Sequence, residues 1–213
     1  MSRLRFAIST SLDGYVAGPD QRPDQGLGRG GERLHDWVVR LRSWREMHGL
    51  EGGAEGVDDE VLRGSVAGVG AAIMGRNMFG GHPGPWDGAV PWRGWWGDDP
   101  PFRHPVFVVT HHAREPLRFA NGTTFTFVTE GIERALELAR EAAGGRDVAL
   151  GGGADVANQY LAAGLVDEME LHLVPILLGG GARLFEDIGT DMRGLRLTRA
   201  VPGEGVVHLE FAR

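Results

Sequence analysis

The sequence predicts an α/β domain with a mixed, mostly parallel sheet, flanked by helices and ending in a C-terminal antiparallel hairpin. Short apolar segments typical of buried strands alternate along the chain with amphipathic segments of helical period. Two glycine triplets, Gly151–Gly153 and Gly179–Gly181, each follow a strand-like segment. The last two alternating segments, 195–201 and 206–211, are separated by Pro202-Gly203-Glu204-Gly205, which is typical of a turn between paired strands.

Each further element is predicted from its own period. Residues 3–10 alternate apolar and polar side chains, which predicts a first strand. Apolar residues at helical spacing predict a helix over 34–47 that carries Trp37 and Trp44. The remaining predicted elements are a helix beginning at the acidic residues 58–60, strands over 71–74, 105–110, 123–129 and 146–150, helices over 132–143 and 154–163, and a long strand over 165–178.

The composition restricts the classes of function. The chain has no cysteine, which excludes disulfides, thiol nucleophiles and cysteine metal sites. It has no apolar run of about 18 residues that would predict a membrane-spanning helix. With 22 basic and 29 acidic residues, its net charge of −7 argues against a nucleic-acid surface. We therefore expect one cytoplasmic domain over residues 1–213, with no metal site and no nucleic-acid or membrane partner.

Residues 80–102 have the composition of an insertion within this domain. The segment is rich in glycine and proline, lacks periodicity, and holds four of the six tryptophans. Its indoles would suit a flap that stacks on a flat substrate. They would suit a dimer contact, or packing under a long loop, equally well.

Three predicted strands run into residues suited to nucleotide binding. One is followed by Gly75-Arg76-Asn77, one ends at Thr110-His111, and one is followed by Gly151-Gly152-Gly153. Because the carboxyl ends of parallel strands lie along one sheet edge, we expect these residues to lie close together. Glycines before a helix let backbone N–H groups approach a phosphate, and an arginine can bind a phosphate with two N–H groups. The triplet is equally consistent with a tight turn that binds no ligand.

Five segments, in order along the chain, carry a resemblance to a known family. They look like the signature segments of the dihydrofolate-reductase-like superfamily: Ser11-Leu12-Asp13-Gly14, Ile73-Met74-Gly75-Arg76, Val108-Val109-Thr110-His111, Gly151-Gly152 and Gly164-Leu165-Val166-Asp167-Glu168. Pro175-Ile176-Leu177-Leu178-Gly179-Gly180-Gly181 is similar to a segment of the riboflavin-biosynthesis branch, the reductase half of the bifunctional deaminase–reductase. The resemblance covers nearly the whole chain and implies the three-layer dihydrofolate-reductase-like fold.

The resemblance also implies a cofactor, NADPH, and residues that would bind it. Gly75, Arg76 and Asn77 would lie at the adenosine end, with Arg76 on the 2′-phosphate. Thr110 and His111 would follow the adenosine ribose and phosphate. The pyrophosphate would be wrapped by Gly151, Gly152, Gly153, Ala154 and Asp155, through the Gly–Gly peptide of this superfamily. The loop from Ser11 to Ala17 would border the nicotinamide, and the C-terminal strands would form a homodimer.

The implied activity is NADPH-dependent reduction of a small heterocycle, similar to 5-amino-6-(5-phosphoribosylamino)uracil reductase. The alternatives are a dihydrofolate-type or other small carbonyl or imine reductase, a dinucleotide-binding module without turnover, and a scaffold acting through its tryptophans. Asp13, Asp36 or ordered water are the candidate proton donors. The chain departs from the riboflavin branch in two ways: Leu150 precedes the glycines where that branch commonly has Glu, and there is no deaminase half.

Overall fold

The computed structural model describes residues 2–80, 84–86 and 92–213. The described elements are strands β1 (Leu4–Ser11), β2 (Tyr15–Ala17), β3 (Val69–Gly75), β4 (Pro105–Val109), β5 (Leu117–Arg118), β6 (Thr124–Val128), β7 (Asp147–Leu150), β8 (Glu168–Val174), β9 (Ala182–Arg183), β10 (Arg196–Pro202) and β11 (Val207–Ala212), a 3₁₀ helix (Gly31–His35), and helices α1 (Arg42–Met47), α2 (Val57–Val66), α3 (Arg76–Phe79), α4 (Ile132–Ala143) and α5 (Ala154–Ala162).

Nine strands form one mixed sheet in the order β10-β11-β8-β1-β7-β3-β4-β6-β5. The six strands from β8 to β6 are mutually parallel. Strand β11 is antiparallel to β8 and pairs with β10 as a hairpin, and β5 is antiparallel to β6. The mostly parallel sheet and the C-terminal hairpin predicted from the sequence are therefore confirmed.

Both faces of the sheet are covered, which gives three layers. Alternate residues of β3 divide between two cores: Ala71 and Ile73 face α4 and α5, whereas Ala72 and Met74 face an aromatic cluster on the other side. Burial on both faces explains why the central strands read as continuous apolar runs. A third, smaller core lies over β8, where Trp37 and its apolar neighbours pack against Val174.

The helix predicted over 34–47 is wrong in its continuity. The chain forms the 3₁₀ helix first and then α1, separated by residues 36–41, and Leu41 before α1 is extended at φ −73° and ψ 148°. The backbone there bonds to Ala54 instead: Arg42 N–H donates to the Ala54 carbonyl at 2.9 Å, and Ala54 N–H donates to that of Arg40 at 2.9 Å. Leu41 is nevertheless buried in the third core, together with the apolar residues of the segment before it. The apolar spacing of the sequence therefore looks helical although the backbone is not continuously helical.

The strand predicted over 165–178 is shorter than expected. Strand β8 ends at Val174 because Pro175 has no N–H to continue the ladder. Beyond it, the backbone N–H groups of Leu178 and Gly179 donate to the carboxylate of Asp13.

Two further predictions are limited by the described range. Residues 81–83 and 87–91 of the segment proposed as an insertion lie outside the described residues. Across the described parts of the chain, no helix has the length and apolarity needed to cross a membrane.

Candidate functional site

The carboxyl ends of β3, β4 and β7 lie side by side at one edge of the sheet. Gly75 at the end of β3 is paired with Val109 of β4, and Ile73 of β3 is paired with Leu150 of β7. The residues that follow each strand are therefore neighbours, as the sequence predicted. This edge is where open α/β sheets bind ligands.

Two glycine segments meet there, backbone against backbone. Gly75 N–H donates to the Gly152 carbonyl at 2.6 Å, and Gly151 N–H donates to the Ile73 carbonyl at 2.8 Å. A Cβ atom at Gly75 would lie 3.0 Å from Cγ2 of Val156 and 3.4 Å from the backbone nitrogen of Gly153, so a side chain would push the segments apart. The Gly152–Gly153 peptide bond is cis.

The glycine triplet leads directly into α5. Gly153 is the N-cap residue, and a Cβ atom placed on it would meet nothing within 4 Å, so this side of the turn is open. Open glycine backbone beside the unsatisfied N–H groups of a helix start suits an anion. Ala154 is buried, whereas the carboxylate of Asp155 is exposed and carries the opposite charge to the one a phosphate prefers. Only the backbone of Asp155 suits that ligand.

Arg76 begins α3 immediately after Gly75. Its guanidinium is half-buried, donates to the Gly80 carbonyl, and lies 3.6 Å from the centroid of the Trp86 ring. Burial, followed by the positive charge of Arg114, lowers the pKa of Arg76. Asn77 is exposed beside it.

Thr110 and His111 follow β4 and differ in exposure. Thr110 is buried; its N–H donates to the Val128 carbonyl at 3.0 Å, and its hydroxyl oxygen accepts from His112 N–H at 3.2 Å. His111 is exposed. The hydroxyl of Thr110 therefore helps to form the turn, and the imidazole of His111 is the group open to solvent.

Asp13 holds two loops together. Its carboxylate accepts from the Ser11 hydroxyl at 2.6 Å, from Gly179 N–H at 2.7 Å and from Leu178 N–H at 3.2 Å. These bonds, the Ser11 hydroxyl first, lower its pKa to about 2. A carboxylate that stays ionised at neutral pH is a poor proton donor, so the geometry favours anchoring over proton transfer.

Replacing Asp13 with Asn should loosen the loop that it anchors. The amide keeps one acceptor oxygen but turns an N–H group toward a backbone donor, so the amides of Leu178 and Gly179 should exchange with deuterium about tenfold faster. Hydrogen-exchange mass spectrometry measures this, and the exposed Asp20→Asn variant is the matched control. Unchanged exchange would mean that Asp13 does not anchor the loop.

Ala17 and Asp36 lie in or next to elements that contact β1, outside the three strand ends. Ala17 is buried in a short ribbon in which β2 pairs with β9. Asp36 follows the 3₁₀ helix and is exposed, so it does not lie on the helix predicted over 34–47. The structure thus brings together the glycines, Arg76 and Thr110, but it gives Asp36 no buried position from which to act.

A buried polar network lies under Trp37, in the layer next to β8. His172 of β8 and His208 of β11 are directly opposite each other, with their Nδ1 atoms 2.9 Å apart. Nε2 of His208 lies 3.0 Å from Oδ1 of Asp58, and Trp37 donates to the Ser9 hydroxyl at 3.0 Å. Burial, then the charge of His208, lowers the pKa of His172 to about 3. His172 is therefore a buried core residue whose ring has a hydrogen-bonding partner.

Comparison with known proteins identifies the family. A model of the RibD C-terminal domain matches residues 3–209. The chain is a member of the RibD C-terminal domain family. Among curated proteins, this family member is 28% identical over 88 residues to the uncharacterized protein YwjB of Bacillus subtilis (strain 168). That match covers 41% of the chain and 49% of YwjB, so it spans about half the length of the relative.

Solved structures similar to this RibD C-terminal domain support the fold. A Shewanella sp. PV-4 protein named for riboflavin biosynthesis has a TM-score of 0.59 at 22% identity, covering 100% of this chain and 99% of that one. Dihydrofolate reductase from Enterococcus faecalis, complexed with NADP(H), has a TM-score of 0.53 at 14% identity, covering 99% and 96%. A deaminase/5-amino-6-(5-phosphoribosylamino)uracil reductase from Thermotoga maritima has 0.57 at 12%, covering 99% and 56%. The RibD C-terminal domain therefore has a reductase-like fold of the dihydrofolate-reductase type.

Sequence reasoning missed two components of this RibD C-terminal domain. Arg114, five residues beyond β4, lies beside Trp86 at the same edge as Arg76, and no periodicity marks it. The His172–His208–Asp58 network is formed by residues far apart in the chain; its only sequence signal is a histidine on each of two strands. Within residues 2–80, 84–86 and 92–213, no group of three or more His, Asp or Glu side chains is arranged to hold a metal ion.

Proposed function

We propose that this protein is an NADPH-dependent reductase of a small heterocyclic substrate, similar to 5-amino-6-(5-phosphoribosylamino)uracil reductase. The observation that carries the proposal is the contact of Gly75 with Gly152 and Gly153 at the carboxyl edge, where Arg76 follows Gly75 and Thr110 follows the neighbouring strand β4. Membership of the RibD C-terminal domain family supports it, as does the fold shared with an NADP(H)-complexed reductase.

The residues at this edge fit a phosphorylated dinucleotide. Because Gly75 has no Cβ, the backbones of the two glycine segments can contact each other. The open side of Gly153 leaves room for a ligand at the start of α5. Arg76 supplies a planar guanidinium beside the end of β3, which matches the geometry of a phosphate. Gly151, Gly152 and Gly153 with the first N–H groups of α5 would hold the pyrophosphate, and Arg76 the 2′-phosphate.

When bound, the nicotinamide supplies the hydride, so the chain itself contributes binding, orientation and exclusion of bulk water. The Ser11–Ala17 loop would border the nicotinamide, because it follows β1 at the same edge and Asp13 anchors it to Leu178 and Gly179. With Asp13 ionised and Asp36 exposed, ordered water is the proton source that the geometry favours. The role of the chain in protonation is then to position the substrate so that an ordered water molecule can protonate it.

The lack of a suitable proton donor among the two candidate carboxylates favours a second candidate function, a dinucleotide-binding module without turnover. Of the two carboxylates offered as proton donors, Asp13 is ionised at neutral pH and Asp36 is exposed. The two candidates differ in one result: a reductase oxidises NADPH with a pteridine or aminopyrimidine substrate, whereas a module binds NADPH and oxidises none across the panel.

The direct test is titration of the pure protein with NADPH and NADH, followed by tryptophan fluorescence. Trp86 and Trp92 lie near Arg76 and α3, so occupancy of the edge should quench emission or transfer energy to the nicotinamide. Saturable binding that favours NADPH supports the proposal. Binding of neither nucleotide would overturn both candidates.

Replacing Arg76 with Ala should weaken NADPH binding about 10- to 100-fold, because a hydrogen bond to a charged group contributes about 1.5–3 kcal/mol. NADH has no 2′-phosphate, so its affinity should change less than about threefold. Isothermal titration calorimetry at fixed ionic strength gives both constants. Arg103→Ala is the matched control, because Arg103 is exposed and precedes β4 at the opposite edge. An equal loss for both nucleotides would contradict the assignment to the 2′-phosphate.

A further inference from the structure

Arg114 is a cation enclosed by aromatic rings at the carboxyl edge of the sheet. Its guanidinium carbon lies 4.8 Å from the centroid of Trp86, 5.2 Å from that of Phe127 and 6.0 Å from that of Phe79. Burial is the first cause, and the charge of Arg93 the second, of a lowered pKa for Arg114. The surroundings thus disfavour its charge except where ring faces attract it.

One nitrogen of this guanidinium has no hydrogen-bond acceptor among the residues that the structure describes. Nη1 of Arg114 is inaccessible to solvent and makes no hydrogen bond, and no carboxylate among residues 2–80, 84–86 and 92–213 forms an ion pair with Arg114. A buried charged donor without an acceptor costs free energy, and such groups are commonly completed by a ligand or an ion. The missing partner has to be an acceptor and, from the charge of Arg114, is best an anion.

A second guanidinium shares the same indole. Arg76 lies 3.6 Å from the centroid of Trp86, and the positive charge of Arg114 is one cause of the lowered pKa of Arg76. Arg76 follows β3 and Arg114 follows β4, and these strands are neighbours in the sheet. Two cations from adjacent strand ends therefore contact the same indole ring, and an anion of high charge density beside it would relieve their repulsion.

We infer that Arg114 is a second guanidinium ligand of the 2′-phosphate of the dinucleotide, and that with Arg76 it determines the preference for NADPH over NADH. Trp86 is the positioning residue that holds both guanidiniums. The inference rests on the proposed function and deepens it. A phosphate monoester carries up to two negative charges and three acceptor oxygens, which two planar guanidiniums match better than one.

The test separates the phosphate from the rest of the cofactor. Adenosine 2′,5′-bisphosphate and adenosine 5′-monophosphate differ only in the 2′-phosphate, and neither contains nicotinamide. Calorimetry at one fixed ionic strength compares wild type with the Arg114→Met variant. We expect Arg114→Met to weaken binding of the bisphosphate about 10- to 100-fold and that of the monophosphate less than about threefold.

A matched control distinguishes a specific role of Arg114 from the general effect of removing a positive charge. Arg93 also lies over an aromatic ring, at 4.9 Å from the centroid of Phe119, but its guanidinium has a carboxylate partner, Asp98, at 3.7 Å. Arg93→Met removes the same charge from the same neighbourhood and should change the ratio of the two affinities less than about threefold. An equal effect of Arg93→Met and Arg114→Met would overturn a specific role for Arg114.

A second variant, Arg114→Lys, tests the same role without removing the positive charge. Arg114→Lys keeps the charge without the planar fork, so it should fold and should lose about 3- to 10-fold in bisphosphate affinity. An affinity ratio unchanged in both Arg114 variants, in a protein whose wild type prefers NADPH to NADH, overturns this inference alone. A wild type that binds neither NADPH nor NADH overturns the proposed function as well.

Discussion

Replacing Phe125 with Ala should lower the free energy of unfolding by about 3–5 kcal/mol, because a fully buried aromatic ring leaves a cavity that its neighbours cannot fill. Phe125 is completely buried in β6. Its ring centroid lies 5.2 Å from that of Phe79 and 5.7 Å from that of Phe119, both in edge-on contacts, and 5.9 Å from Trp96 in a stacked one. The ring of Phe102 is a fourth neighbour, edge-on at 5.8 Å, so removing Phe125 deletes contacts with four rings at once.

Urea unfolding at neutral pH measures this loss from the midpoint and the slope. Phe185→Ala is the matched control, because that ring is 37% exposed and its loss should cost less than about 1 kcal/mol. The variant also probes the site, because Phe79 contacts Trp86 at 5.8 Å. A loss as small as that of the control would mean that the cluster closes over the cavity.

Acidification from pH 7 to pH 4.5 should lower the free energy of unfolding by about 2–3 kcal/mol through His172 alone, since each unit of pKa difference corresponds to about 1.4 kcal/mol. In the folded protein burial lowers the pKa of His172 to about 3, from its ordinary value of 6.5. Between these two values the unfolded chain binds a proton that the folded chain does not. The stabilisation is therefore complete above pH 6.5 and is lost as the pH falls through this window.

Denaturant unfolding of wild type and His172→Gln at the two pH values measures the effect. The variant should lose much less stability on acidification, whatever its stability at pH 7. Other groups titrate too: burial lowers the pKa of His35, which adds to the loss, whereas burial raises the pKa of Glu170, which opposes it. The difference between the two proteins cancels these contributions. The exposed His111→Gln variant should behave as wild type, and an equal pH dependence in His172→Gln would contradict the burial argument.

The sequence alone predicts those elements whose structure depends on residues close together in the chain. Helix α4 has the predicted bounds, because Gly131 precedes its apolar stripe and Gly144 ends it in the left-handed conformation. The meeting of three strand ends also follows from the alternation of strands and helices, because parallel strands place their carboxyl ends at one edge. Prediction failed at Leu41, where a backbone pairing with Ala54, thirteen residues away, outweighs a helical period.

The parts of the candidate site that could not be predicted depend on distant contacts. Asp13 was interpreted as a candidate acid, but its bonds to Leu178 and Gly179 join residues 165 or more positions apart. Arg114 has no motif, and it is placed at the edge by contacts with Trp86, Phe127 and Phe79, which come from three other segments. His172 and His208 gain their significance from the register of β8 and β11, which a single sequence does not encode locally.

The two outer strands of the sheet also bear on how the protein avoids self-association into fibrils. A sheet of nine strands exposes two unpaired edges, and a long apolar edge would recruit strands from other chains. At one edge β5 is only two residues long. At the other, β10 carries Arg196 and Arg199 and ends at Pro202, which cannot donate to an added strand. Both edges thus resist extension, and stacking by backbone pairing is disfavoured even at high concentration.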